Sequence, residues 1–135
     1  MGLSKKFDLE ERLVDFAVLV INTSGQIPSG LNTDHLSRQL VRSGTSAALN
    51  YAEARAAESK KDFVHKMKIS LKELRETYVC LKIINRAQIH RHVPSLNTII
   101  RECDELISIF IKSLETVQKN TLKSQSEQTQ SLSKP

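Results

Sequence analysis

The spacing of apolar residues constrains this chain more than any other feature. Leu9, Leu13, Phe16, Ala17 and Val20 recur at threes and fours. So do Leu36, Leu40, Gly44, Ala47, Tyr51 and Ala54; Phe63, Met67, Leu71, Leu74, Tyr78 and Leu81; and Leu96, Ile99, Cys103, Leu106, Phe110, Leu114 and Val117. That period belongs to amphipathic α-helices, each of which must bury its stripe against another element to be stable. Four such stripes joined by short connections predict an all-α fold, an antiparallel up-down-up-down four-helix bundle.

Punctuation sets the boundaries. Asp8 with Glu11 three residues on forms a capping-box pattern that opens the first helix, and Thr23-Ser24-Gly25 is expected to stop it. Pro28 and Gly30 carry the connection to a second helix capped by Asn32 or Thr33, and Ser59 with Asp62 starts the third. Residues Gln88 to Pro94 read as a loop, after which Ser95 can cap the fourth. The predicted helices span about 8–24, 33–57, 60–86 and 95–119. A lead covers residues 1–7, and the Ser, Gln, Thr and Lys-rich residues from about 120 to 135 lack periodicity and are expected to be disordered. Gly44, beside Ser46, Ala47 and Ala48, costs about 1 kcal/mol in a helix interior, so it points to a close helix crossing.

At 135 residues the chain has room for one core. With aromatics at only 4%, that core must be aliphatic. No stretch approaches the roughly 20 apolar residues of a membrane span. The N-terminus has no signal-peptide hydrophobic region, and Lys6 stands where a myristoylation signal has Ser or Thr, so a cytoplasmic location is expected. Cys80 and Cys103 lie in apolar helical runs, where a small buried thiol is expected rather than a disulfide or a metal ligand.

Charge is unevenly distributed. Residues 8–24 carry four acids against Arg12, a net −3, whereas residues 60–101 carry ten Lys or Arg against three acids, a net +7. On a helical wheel of about 100° per residue, Lys61, His65, Lys68, Lys72, Arg75, Lys82 and Arg86 share roughly 100° of arc, opposite Phe63, Leu74 and Tyr78. Such a stripe, running nearly 40 Å, favours phosphate backbones through counterion release. The plainer reading is that these cations solvate an outer face or meet the acidic first helix of the same or a neighbouring subunit. With no Trp, and with Tyr51 and Tyr78 expected in the core, no platform for stacking bases is evident, so nucleic-acid binding here would read charge and shape.

A polar row on the second helix, Gln39, Arg42 or Ser43, Ser46, Asn50 and Glu53, has seam-like spacing. It reads as a hydrogen-bond or ion-pair network with Lys72, Glu73 or Glu76, fixing register between helices or subunits, with a substrate pocket as the lesser reading. The paired Glu-x-x-His motifs of a di-metal bundle are missing; Asp62-x-x-His65 sits at a helix start, and His90 and His92 are two ligands in a loop. No metal, cofactor or small-molecule substrate is expected, and no phosphate loop or nucleophile elbow occurs.

The segments Leu9-Glu10-Glu11-Arg12-Leu13, Gln39-Leu40-Val41-Arg42-Ser43-Gly44-Thr45-Ser46, Asn50-Tyr51-Ala52-Glu53-Ala54 and Leu71-Lys72-Glu73-Leu74-Arg75-Glu76-Thr77 together resemble the four helix bundle proteins related to the bacterial 23S ribosomal RNA intervening-sequence proteins. The resemblance covers about residues 7 to 118. It implies an up-down-up-down bundle that assembles into a ring-like homopentamer with no established enzymatic activity. More distantly it extends to the accessory variability determinant of diversity-generating retroelements, a basic pentamer that engages nucleic acid and a reverse transcriptase. The expectation is a non-catalytic homo-oligomeric binding or scaffold module, with RNA or a nucleic-acid-processing protein such as a reverse transcriptase as partner. The alternatives are a purely protein-directed scaffold, and an enzyme using Glu53, Glu73 and Glu76.

Overall fold

Asp8 caps the first helix as the sequence anticipates: its carboxylate accepts from the amide of Glu11 at 3.2 Å, satisfying one of the amides that a helix start leaves open. The computed structural model describes residues 8–87 and 89–133, with side chains at all of these except His90, His92 and 131–133. The lead 1–7 with its lipid-signal position, the loop residue Gln88, the end of the tail, and the His90 and His92 rings therefore lie outside the described residues.

Four helices follow in order: α1 (Leu9–Gln26), α2 (Leu31–Arg55), α3 (Lys60–Arg86) and α4 (Leu96–Ser133). The α3 bounds match the sequence expectation; the others shift for local reasons. Thr23-Ser24-Gly25 does not stop α1, which runs on to Gln26 and closes where the Ile27 amide donates to the Ser24 carbonyl, just before Pro28. Residues 32 and 33 do not cap α2. Gly30 is the N-cap; the Asp34 carboxylate accepts from its amide at 3.3 Å, and the Thr33 hydroxyl donates to the Pro28 carbonyl at 2.6 Å. Ser59 caps α3 by accepting from the Asp62 amide at 3.1 Å. Between α3 and α4 the connection holds a short 3-10 turn, Ile89–His92.

The largest departure is at the end of the chain. Where a disordered tail was expected from about 120, α4 continues unbroken to Ser133. No Gly or Pro occurs between Ser95 and Lys134, and once a helix is nucleated Gln, Lys, Glu and Leu extend it at little cost.

The helices pack around a ring: α2 against α1 and α3, α4 against α3 and back against α1. In this up-down-up-down arrangement α1 and α3 run parallel at opposite corners. The core is aliphatic with two aromatic anchors, Phe16 and Phe110, among Leu13, Val20, Leu40, Leu74, Leu81, Ile84, Ile99 and Leu106. Tyr51 meets Phe110 edge to face, with centroids 5.8 Å apart. Truncating any of the buried Leu or Ile residues to Ala would cost roughly 2–5 kcal/mol. The close crossing inferred from Gly44 is between α1 and α2: a Cβ at Gly44 would stand 2.8 Å from both methyl groups of Val20.

The buried face of α3 is rotated from the one expected. Met67, Ser70, Leu74, Thr77, Cys80, Leu81 and Ile84 are buried, while Phe63, Leu71 and Tyr78 are only partly so. The shift is toward α2, and it is made possible by polar groups that find partners there. The Ser70 hydroxyl donates to the Ala47 carbonyl at 2.9 Å, and Thr77 Oγ1 lies 2.8 Å from Ser43 Oγ and from the Glu73 carbonyl oxygen. A periodicity count that scores Ser and Thr as polar misplaces such a face.

Candidate functional site

The α2–α3 seam draws together the polar residues singled out in the sequence. Arg42, projecting from α2, reaches across to two carboxylates on α3. Its Nη1 donates to Glu73 Oε2 at 3.0 Å and its Nη2 donates to Glu76, while its Nε donates to Gln39 on its own helix at 3.2 Å. Hydrogen bonding to Glu76, joined by the charge of Glu73, holds the Arg42 guanidinium above its ordinary range. Glu73 is 8% exposed, so Arg42 is what makes its charge tolerable there. Farther along, the Asn50 amide donates to the Ser46 carbonyl at 2.9 Å and lies 3.0 Å from its hydroxyl, and Glu53 accepts from Lys66 at 2.7 Å. Lys72, expected as a network partner, is not one. It points outward, while Lys66 occupies the flank of α3 that faces α2.

The three acids considered for catalysis are thus held in two separate sets of ion pairs, Glu53 with Lys66 and Glu73 with Glu76 on Arg42. The thiols are equally quiet. Burial pushes Cys80 up to about 11 and Cys103 up to about 12, which keeps both protonated at neutral pH, and each contacts a main-chain carbonyl, Leu36 and Leu74 respectively. Among the described residues no cluster of three or more His, Cys, Asp or Glu is placed to hold a metal ion. Among the described residues no helix is long and apolar enough to cross a membrane.

The outer face of α3 is different in kind. Lys61, His65, Lys68, Lys72, Arg75, Lys82 and Arg86 are all exposed. Among the described residues none of the six Lys and Arg enters an ion pair; Lys82 alone has a specific contact, its ammonium lying 5.6 Å from the centroid of the Tyr78 ring. Two grooves flank this face. One, of about 600 Å³, runs between the start of α3, with Lys60, Lys61, Val64 and Lys68, and α4 around Leu114, Val117 and Thr121. The other, of about 820 Å³, opens between α2, at His35, Gln39 and Arg42, and α3 from Lys68 to Ile83, with Lys72, Arg75 and Val79 between them.

Two features escaped the sequence reading. Arg12, the single cation of the first helix, clasps α1 to α4: Nε and Nη2 donate to the two oxygens of Glu102 at 2.9 and 2.6 Å, and Nη2 also reaches Glu105 at 2.6 Å. Hydrogen bonding to Glu102 raises the Arg12 guanidinium far above its ordinary value. The isolation of Arg12 among acids was the available signal. The second is a set of apolar residues left outside: Val14, Val18 and Ile21 on α1 and Val79 and Ile83 on α3 are between 43% and 53% exposed. Their spacings of three and four were legible, but only as a second stripe beside the core stripe.

Over residues 5–112 the chain matches the model of the 23S rRNA-intervening sequence protein family, so four-fifths of its length carries that family's pattern. It belongs to the 23S rRNA-intervening sequence protein family. The bundle is similar to the crystal structure of a protein of unknown function from the S23 ribosomal protein family of Bacteroides thetaiotaomicron VPI-5482. The superposition has a TM-score of 0.68 at 28% identity and covers 79% of this chain and 98% of that one. No curated protein matches. In this member of the 23S rRNA-intervening sequence protein family, the match ends at residue 112, so the last two turns of the core stripe and the extension of α4 lie beyond it.

Proposed function

We propose that this chain is a subunit of a non-catalytic homo-oligomer, pentameric as its sequence resemblance implies, that acts as a binding or scaffold module for RNA or a nucleic-acid-processing protein such as a reverse transcriptase. One observation carries the nucleic-acid reading: Lys61, Lys68, Lys72, Arg75, Lys82 and Arg86 line one exposed face without carboxylate partners among the described residues. Cations that stabilise a fold are usually found near acids. Six that are left unpaired along roughly 38 Å of helix are available to displace counterions from a phosphate backbone. The groove between the start of α3 and α4 continues that face with Lys60 and Lys61 on its wall. Acting through charge, such a surface discriminates between structures more than between sequences.

Titration with a structured RNA at two salt concentrations tests this. The expected result is affinity that falls steeply with salt, and a Lys68→Glu, Lys82→Glu, Arg86→Glu triple variant that binds at least about tenfold more weakly with a salt slope shallower by roughly one unit per lost phosphate contact. Equal binding by that variant, at unchanged oligomer mass, rejects the stripe.

A second reading, a scaffold directed only at proteins, draws on Val79 and Ile83. Apolar side chains in the middle of a basic face do nothing for phosphate binding, and they suit a protein partner.

A further inference from the structure

The outer faces of α1 and α3 are opposite in charge, parallel in direction and similar in the spacing of their exposed apolar residues. On a wheel of about 100° per residue, the basic residues of the α3 face divide into a flank, with Lys68, Arg75, Lys82 and Arg86, and a ridge on which Lys61, Lys72, Val79 and Ile83 lie in line. From Lys72 to Ile83 the ridge lines the 820 Å³ groove over α2 and α3. On α1 the outward face carries Glu11, Val14, Val18 and Ile21, all exposed, on a helix whose segment is net −3, whereas the segment carrying α3 is net +7.

We propose that the ridge of α3 receives the outer face of α1 from a second copy of this chain, the two helices running parallel. Glu11 and Val18 are seven residues apart, as are Lys72 and Val79; Ile21 follows Val18 by three, and Ile83 follows Val79 by four. Setting Glu11 against Lys72 therefore brings Val18 onto Val79 and Ile21 beside Ile83. The direction is consistent with a ring. Within one bundle α1 and α3 are parallel, and rotation about an axis along the bundle keeps the helices of every copy in that direction.

Because α1 and α3 occupy opposite corners, the contact is head-to-tail: each copy offers one donor face and one acceptor face, and the chain of contacts closes where the rotation completes a turn. The inference rests on the homo-oligomer reading above and specifies its interface. It covers Lys72, which the nucleic-acid reading also uses, and leaves Lys61, Lys82 and Arg86, none of which lines the 820 Å³ groove, outside the contact.

The test uses the full chain with Val18→Asp and Val79→Asp, alone and mixed, followed by sedimentation velocity at micromolar concentration. Both positions are half-exposed in the protomer, so helicity and thermal midpoint should hold. Each variant alone should be monomeric, and the mixture should give a one-to-one dimer and nothing larger, since only one intact pair of faces remains. Glu11→Lys and Lys72→Glu provide a second route: each should weaken association at least about tenfold, and the two changes in one chain should restore it. An oligomeric wild type whose two Asp variants keep their mass overturns the pairing and leaves the oligomer reading standing. Loss of assembly in Val18→Asp alone overturns it in favour of an α1–α1 contact. A monomeric wild type overturns both.

Discussion

Thr23 is fully buried near the end of α1, and its hydroxyl has no hydrogen-bond partner among the described residues. A hydroxyl taken out of water without compensation costs more than the methyl that would replace it. Thr23→Val is therefore expected to raise the urea midpoint, by about 1 kcal/mol of stability. The two thiols make the opposite kind of contribution at high pH. In the unfolded chain they ionise near 9, while burial holds Cys80 to about 11 and Cys103 to about 12. Above pH 9 the unfolded state thus binds fewer protons than the folded one, so this stability is complete below that point and is lost as pH rises toward 11. Urea midpoints measured from pH 8 to pH 11 should fall, and should fall less in a Cys80→Ala, Cys103→Ala variant compared with its own value at pH 8.

Among the elements, the α1–α2 crossing is the most sensitive to a single atom. Ala is normally the better helix residue by about 1 kcal/mol, yet at Gly44 its methyl would collide with Val20, a β-branched side chain with no room to turn. Gly44→Ala should lower the thermal midpoint, costing roughly 1–3 kcal/mol, and Val20→Ala in the same chain should recover part of that loss. The crossing was legible because a glycine on the buried stripe of a helix gives up both propensity and packing, a loss that a neighbouring helix pressed close against its backbone makes good. The bounds of α3 were legible from Ser59 and Asp62, and those of α1 and α2 slipped by one or two residues where Gly25 proved compatible with a helix and Asp34 reached back to Gly30. The orientation of α3 was not legible, because Ser70 and Thr77 are buried through hydrogen bonds to α2 that no single-helix pattern encodes. The site followed the same division. The stripe of cations and the row from Gln39 to Glu53 could be placed on faces by counting, whereas the entry of Lys66 into that network in place of Lys72, and the choice of Glu102 as the Arg12 partner, depend on how two helices are turned toward each other.

For the molecule as a whole, α4 sets the long dimension. At 38 residues it spans about 57 Å, against about 40 Å for the 27 residues of α3, and residues 118–130 are exposed apart from Thr121. The α3–α4 groove reaches as far as Gln125. Truncation after Gln125 should therefore leave the thermal midpoint within a few degrees of the full chain, since residues 126–130 are all exposed. Truncation after Phe110, by contrast, would strip partly buried Leu114 from the core margin and lower it. Because α4 runs opposite to α3, its extension leaves the bundle at the end where Lys60 and Lys61 begin. In any assembly whose copies all point the same way, these extensions emerge together, so the particle has a bristled pole and a bare one. A partner that grips the bristles is confined to one end, and a label fused to the C-terminus would mark that pole alone.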